Sequence, residues 1–306
     1  MNWRIKGVVQ KTLSVLPGGT RVNDLLQRTV GGLRHLDANI AAKVNYDWAV
    51  LVGHMTGLGR NPRGLRYLEI GTGWYPTSPA CHALAGAGSC VTYDVDRHLD
   101  PRLTFQMLDI LRQHLPAIAR AAQRPLPEVE AEYERLRRAQ SLEEFLRAAR
   151  IEYHAPADAC ATGLPDDSVD VVFSNSVLEH VPGEVIARLM RESRRVLRPG
   201  GLSIHSANCG DHYAYFDRRI TALQYLAYSD SQWRFWNNRL QYQNRLRPVD
   251  FIELAESAGL KIVLRKHAPR PDLLAALPRL KIAPEFRSYP PEQLCCTSVD
   301  FVGRKD

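Results

Sequence analysis

Apolar positions change their spacing twice along the chain. Over the first sixty residues they recur at helical intervals. Ile5, Val8, Val9, Thr12, Leu13 and Leu16 fall near one face, and Pro17-Gly18-Gly19 ends the run. A second run, Val22 to Arg28, stops at Gly31-Gly32, and a third, Ala41 to Leu51, holds Tyr46 and Trp48. From Leu65 short apolar runs alternate with amphipathic ones, which predicts a parallel sheet with helical crossovers. Residues 97–150 are long for one crossover. Leu103, Met107, Ile110 and Leu111 make one face there, Leu115 and Ile118 continue it, and Pro125 and Pro127 break it. Ser141-Leu142-Glu143-Glu144 then reads as a capping box opening a further helix. The clearest helix places Ile186, Leu189, Met190, Ser193 and Leu197 on one face and stops at Pro199-Gly200. A strand from Leu202 to Ala207 follows. The last part predicts a helix over Phe251–Ser257, a strand over Lys261–Arg265, a proline-rich loop over 268–293 and a closing strand over Thr297–Val302.

Chemistry enters at the first strand. Leu68 and Ile70 are apolar, Glu69 stands between them, and Gly71-Thr72-Gly73 follows as a bend where a ligand can approach the main chain. About twenty residues on, Cys90-Val91-Thr92-Tyr93 is a second apolar run, ending in Asp94. A glycine turn after one strand and an acid at the tip of the next is how nucleotide-binding α/β sheets hold a ribose.

Glu69-Ile70-Gly71-Thr72-Gly73 resembles the first motif of class I S-adenosylmethionine-dependent methyltransferases. Three later segments keep the order and spacing of that family. Asp158-Ala159, with Leu164-Pro165-Asp166-Asp167-Ser168-Val169-Asp170, is similar to its adenine-contacting turn and the lead into strand four. Val171 to Val181 is similar to strand four and the loop below the cofactor, and Leu197-Arg198-Pro199-Gly200-Gly201-Leu202 to the turn into strand five. The resemblance covers residues 64–207. It implies a Rossmann-like class I methyltransferase sheet of the α/β class, mostly parallel with the last strand reversed. The expected layout is an N-terminal helical cap over 1–62 and a methyltransferase domain over 63–306. That domain would carry a helical insertion at 97–150 and an acceptor-side cap at 208–250.

The same resemblance implies S-adenosyl-L-methionine as cofactor. Glu69, Gly71, Thr72 and Gly73 would surround its methionine moiety, Asp94 with Val95 its ribose, Asp158 and Ala159 its adenine, and Ser174 and Asn175 its floor. Where the family often has a third glycine, this chain has Tyr75, beside Trp74. A pyrophosphate would want that glycine, so the departure argues against NAD. Tyr75 is either a cofactor contact or packing under the lid.

Composition bounds the partners. The 306 residues are 45% hydrophobic, enough for a large core, and no apolar stretch approaches the roughly twenty residues that span a bilayer. The six cysteines show no Cys-x-x-Cys, so neither a metal site nor a disulfide framework is expected, and a cytoplasmic, reducing location is. The net charge is +7, and the first 66 residues hold ten basic against three acidic side chains. That face suits either a solvated surface or peripheral contact with an anionic membrane. No basic run with interleaved aromatics argues for nucleic acid.

Methyl transfer asks the protein mainly to align acceptor and methyl, with a base where the acceptor is a hydroxyl. Asp211 and His212 are the first candidates for the catalytic base, with His180 after strand four as the alternative, while His205 reads as buried structure. Asn208 and Tyr213, in the segment after strand five, and Tyr46 are candidates to contact the acceptor, Tyr46 or Trp48 by closing over the cleft. Beyond them Tyr225, Tyr228, Trp233, Phe235, Trp236 and Tyr242 mix with Arg218, Arg219, Arg234, Arg239, Arg245 and Arg247. Such a mixture suits a planar, sugar-like or anionic small molecule, of natural-product or saccharide type. Two rivals remain at the sequence level: cyclisation or aminocarboxypropyl transfer from the same cofactor, and a cofactor-binding subunit without turnover.

Overall fold

The computed structural model describes residues 2–16 and 35–306. The expected helix over Val22–Arg28 and the Pro17-Gly18-Gly19 stop lie outside the described residues. Seven strands form one sheet: β1 (Arg66–Ile70), β2 (Ser89–Tyr93), β3 (Ile151–His154), β4 (Val169–Asn175), β5 (Leu197–Asn208), β6 (Lys261–Lys266) and β7 (Ser298–Arg304). Their order is β3-β2-β1-β4-β5-β7-β6. β1 to β5 pair in parallel, while β7 runs antiparallel between β5 and β6.

Alternation along the central strands divides the core in two, because successive side chains leave a strand on opposite faces. Tyr67, Val171 and Phe173 point to one face, and Leu68, Ile70 and Val172 to the other. The first face is covered by α2 (Leu36–Ala42), a π-helical turn (Lys43–Trp48), α3 (Ala49–Gly57), α4 (Thr77–Leu84) and the helices of the long crossover. Those are α5 (Pro101–Leu111), α6 (Leu115–Ala121), α7 (Leu126–Arg137) and α8 (Leu142–Ala148). Ser141 caps α8 as its spelling predicts, its hydroxyl accepting the Glu144 N–H at 3.2 Å. The second face takes α9 (Gly183–Val196), which buries Ile186, Leu189, Met190, Ser193 and Val196. The helix Pro248–Ser257 lies beside it.

A third cluster lies beyond β5. It gathers Tyr213, Leu223, Tyr225 and Leu226 with Trp233 of α10 (Asp230–Trp236), then the chain returns to the sheet through α11 (Pro248–Ser257). α12 (Pro271–Ala276) and α13 (Pro291–Leu294) complete it through Leu273 and Leu294. The proline-rich stretch expected as a loop is therefore partly helical. Pro271 and Pro291 open helices, since the first turn has no use for the missing N–H.

The N-terminal helix α1 (Trp3–Val15) departs from its sequence pattern. It buries Trp3, Gly7 and Gln10, whereas Ile5 is 60% and Val15 75% exposed. One aromatic decides this. The Trp3 ring meets Tyr213 at 5.2 Å and Trp236 at 4.7 Å, and the Trp3 backbone N–H donates to Asp217 Oδ2 at 3.1 Å. Gly7 allows the close approach, because a Cβ there would stand 3.1 Å from Trp236 and 3.2 Å from the Tyr213 hydroxyl. The two described parts of the expected 1–62 cap thus go to different places: α1 to the segment after β5, α2 and α3 to the sheet face.

Candidate active site

A cleft of about 620 Å³ opens at the carboxyl ends of β1, β2 and β4. The loop after β1 forms its floor. Gly71, at φ +84°, donates its N–H to the Tyr93 carbonyl at 2.8 Å, and a Cβ there would stand 2.5 Å from Val177. Gly73, at φ +72°, faces open space and donates its N–H to Asp94 Oδ2 at 2.8 Å. Among the described residues, Asp94 Oδ1 accepts the Asp96 N–H alone, at 3.3 Å. Each carboxylate oxygen therefore keeps a lone pair for a ligand. The Asp94 carbonyl accepts the Ala157 N–H at 2.9 Å, which brings the Asp158-Ala159 turn beside the β2 tip. Asp158 is itself a turn residue, with Oδ1 accepting from Cys160 N at 2.8 Å.

Two groups that sequence reading passed over stand at the same cleft. Lys43 and Asp47 are four apart in the π-helical turn, which turns both inward while Val44 and Trp48 enter the core. π-turns are frequent at functional sites. The Lys43 ammonium sits 4.8 Å from the centre of the Tyr75 ring. Burial pushes the Glu69 carboxyl up, opposed by the hydrogen bond from Thr92 (2.9 Å) and by Lys43. The same burial pushes Lys43 down, and Glu69 and Asp47 oppose it. Burial raises Asp47, against Lys43 and a hydrogen bond from Asn175. A Lys and an Asp at i and i+4 in a mostly apolar helix were the available signal.

Of the residues expected around a cofactor, Glu69, Gly71, Thr72, Gly73, Tyr75, Asp94, Val95, Asp158, Ala159 and Asn175 all line this cleft. Ser174 does not. It is buried, hydrogen-bonded to His205 Nδ1 at 2.7 Å, because β4 alternation sends it to the other face from Asn175. His205 receives a second hydroxyl, Ser203, at 2.7 Å on Nε2, and burial pushes it down to about 3. It is a structural residue.

A second cavity of about 390 Å³ adjoins the first and shares His180 with it. Lys6 of α1, His212, Tyr215, Phe216, Arg239 and Tyr242 are among its walls. Several expected acceptor residues lie elsewhere. Asp211 is 2% exposed and caps the turn that follows, Oδ1 accepting the Tyr213 N–H at 2.8 Å, and burial pushes it up to about 7. Tyr213 is buried under Trp3 and donates to the Trp236 carbonyl at 3.1 Å. Asn208 closes its own turn, its Oδ1 accepting from Gly210 N at 2.7 Å and its amide donating to the Tyr215 hydroxyl. Tyr46 is 74% exposed at a separate crevice. Trp48, the other aromatic expected at the lid, is core.

The arginine and aromatic mixture also divides. Arg247 is fully buried and clasps the Cys209 carbonyl at 2.7 Å, while Arg245 donates to the Tyr225 carbonyl at 2.9 Å. Only Arg239 and Tyr242 of that set line the second cavity. There the His180 and His212 rings stand 5.1 Å apart. Burial pushes His212 down to about 3, helped by His180 and Lys6, and pushes Glu179 up to about 7.

Residues 113–205 match the family model described as a methyltransferase domain. Solved structures that resemble most of the chain include two S-adenosylmethionine-related ones. An S-adenosylmethionine-dependent methyltransferase from Mesorhizobium loti is 17% identical over 82% of this chain and 96% of its own, with a TM-score of 0.44. Phosphoethanolamine N-methyltransferase 2 of Haemonchus contortus, in complex with S-adenosyl-L-methionine, is 17% identical over 92% of this chain and 59% of its own, with a TM-score of 0.46. No curated protein matches the chain. The sheet order is Rossmann-like with β7 reversed, and residues 113–205 match a methyltransferase domain, for which S-adenosyl-L-methionine would be the methyl donor. The cleft fits that group. It has open space at Gly73, a carboxylate with free lone pairs at Asp94, and an apolar end at Val95, Ala159, Val185 and Leu189.

Proposed function

We propose that the protein transfers a methyl group from S-adenosylmethionine to a small-molecule acceptor held in the second cavity. One observation carries this reading: His180 belongs to both cavities, so an acceptor beside it stands next to the cofactor cleft. The cofactor supplies an electrophilic methyl on a sulfonium, and the protein's part is alignment. In this reading Asp94 holds the ribose hydroxyls. Ala159, Val185 and Leu189 receive the adenine. Lys43 pairs with the methionine carboxylate, and Asp47 or Glu69 with its ammonium.

The acceptor is polar or anionic with a flat or ring-shaped body. Lys6 and Arg239 offer cations, and Tyr215, Phe216 and Tyr242 offer ring faces. Natural-product and saccharide-type metabolites have this chemistry. His212 has the low basicity of a buried imidazole, which makes it a positioning group more than a proton acceptor. His180 donates from Nδ1 to the Tyr242 carbonyl at 2.7 Å, since a carbonyl can only accept, and so presents the Nε2 lone pair, with burial lowering the ring's basicity against that hydrogen bond.

Incubating metabolite extracts with methyl-labelled cofactor and reading the products by mass spectrometry tests this. A labelled small molecule together with S-adenosylhomocysteine is expected. Methylthioadenosine as the coproduct would instead indicate cyclisation or aminocarboxypropyl transfer, and no turnover with tight cofactor binding would indicate a non-catalytic subunit.

A further inference from the structure

Glu179, His180 and His212 each bring one ligand atom to a common point, all within 4.8 Å of one another. Two come from the short turn after β4 and the third from the segment after β5, so the tertiary fold assembles the group. We propose that these three side chains form a binding site for a divalent first-row transition metal at the junction of the two cavities.

Three features of the site support a cation there. Glu179 is 1% exposed, and its Oε2 has no hydrogen-bond partner among the described residues. A buried carboxylate oxygen without a partner is costly, and a bound cation offsets that cost directly. His180 is oriented as metal-bound imidazoles are, its Nδ1–H held by the Tyr242 carbonyl at 2.7 Å and its Nε2 left with a lone pair. His212 is fixed by its neighbours, its backbone N–H donating to Gln243 Oε1 at 3.1 Å and its ring stacked on Tyr215 at 5.4 Å.

The donor set selects the metal. Two imidazoles and one carboxylate suit zinc, iron, cobalt or manganese, whereas magnesium and calcium prefer all-oxygen shells. Three protein ligands leave coordination positions open. The open side belongs to the second cavity, which His180 and His212 both line. A hydroxyl, phenol or carboxylate oxygen of the acceptor can take such a position and be fixed beside the cofactor cleft. This acceptor-anchoring role rests on the methyl-transfer reading above. Metal binding itself does not.

The test uses the full-length protein, stripped with chelator and titrated with Zn²⁺ by calorimetry and with Co²⁺ by visible absorption. One equivalent is expected to bind, with a Co²⁺ ligand-field band. His180→Ala and His212→Ala should each weaken binding by more than roughly tenfold, since loss of even an outer-shell partner costs about 10–100-fold. His180 is solvent-exposed, so its variant keeps the fold, and circular dichroism checks both. Asp94→Ala should lose S-adenosylhomocysteine affinity and keep the metal, which separates failure of this site from failure of the cofactor reading. Away from this site a thiol meets an imidazole at Cys296 and His267, 3.7 Å apart, and Cys296→Ser should leave binding unchanged. Absence of stoichiometric Zn²⁺ and Co²⁺ binding would overturn the proposal. So would binding that survives both histidine variants or is lost in Cys296→Ser.

Discussion

The Gly73 amide donates to Asp94 Oδ2 at 2.8 Å, so the loop after β1 is fastened to the tip of β2 by the acid that faces the cleft. One side chain therefore does two things. It sets the loop's shape and presents its remaining lone pairs to the cleft.

Replacing that acid should show on cofactor binding first. Asp94→Ala is expected to weaken S-adenosylhomocysteine binding by about 1.5–3 kcal/mol, the scale of a hydrogen bond to a charged group. Calorimetry measures it, and an unchanged dissociation constant would remove Asp94 from the ribose.

Gly71 tests the loop's backbone. With φ at +84° and Val177 standing 2.5 Å from an added Cβ, Gly71→Ala is strained both in its own angles and against its neighbour. A loss of about 1–3 kcal/mol in stability is expected. Adding Val177→Ala should recover the steric part and leave the angular part, so chemical denaturation of the double variant should fall between the two.

Asp211 separates a cap from a base. Its carboxylate accepts the Tyr213 N–H in a buried turn, and Asn caps as well as Asp. Asp211→Asn should therefore keep turnover within about threefold, where loss of a general base would cost roughly a hundredfold or more. A loss of that size in steady-state kinetics would return Asp211 to the chemistry.

Trp3 tests how α1 closes the second cavity. Trp3→Ala removes a ring packed on Tyr213, Tyr228 and Trp236, and Lys6 of the same helix lines the second cavity. Because α1 buries only Trp3, Gly7 and Gln10, local release should precede global unfolding. Faster proteolysis within α1 and a raised acceptor KM are expected, with S-adenosylhomocysteine affinity unchanged. Equal proteolysis of variant and parent would count against this docking.

Acid stability offers a check on the helix α9 surface. Hydrogen bonds from Arg195 hold Glu192 down at about 2, with Thr162 contributing. A carboxyl lowered on folding stabilises the protein fully above its unfolded value. That contribution is lost as pH falls from about 4.5 toward 2. Glu192→Gln should lower stability by roughly 1 kcal/mol at neutral pH and converge with the parent at low pH. Parallel curves in denaturant titrations across that window would contradict it.

The chain's own order of residues determined the sheet, the crossovers and most of the cofactor cleft. Strand and helix periods are local, and a glycine bend followed by an acid at the next strand tip is fixed by a few adjacent residues. Tyr67 and Leu68 could be sent to opposite faces by alternation alone, and the same alternation, followed one residue further along β4, turns Ser174 away from Asn175. Direction in the loops and caps was settled only by tertiary packing. Trp3 outweighed the apolar stripe of its own helix because three aromatic rings from a distant segment were there to receive it. Lys43 and Asp47 reach the cleft because a π-turn and the buried Val44 and Trp48 rotate them inward. Asp211 and His212 are neighbours in the chain, yet one caps a buried turn and the other meets Glu179 and His180. A polar side chain in a loop takes whichever partner the folded chain brings within hydrogen-bond reach, and that partner lies far away in sequence.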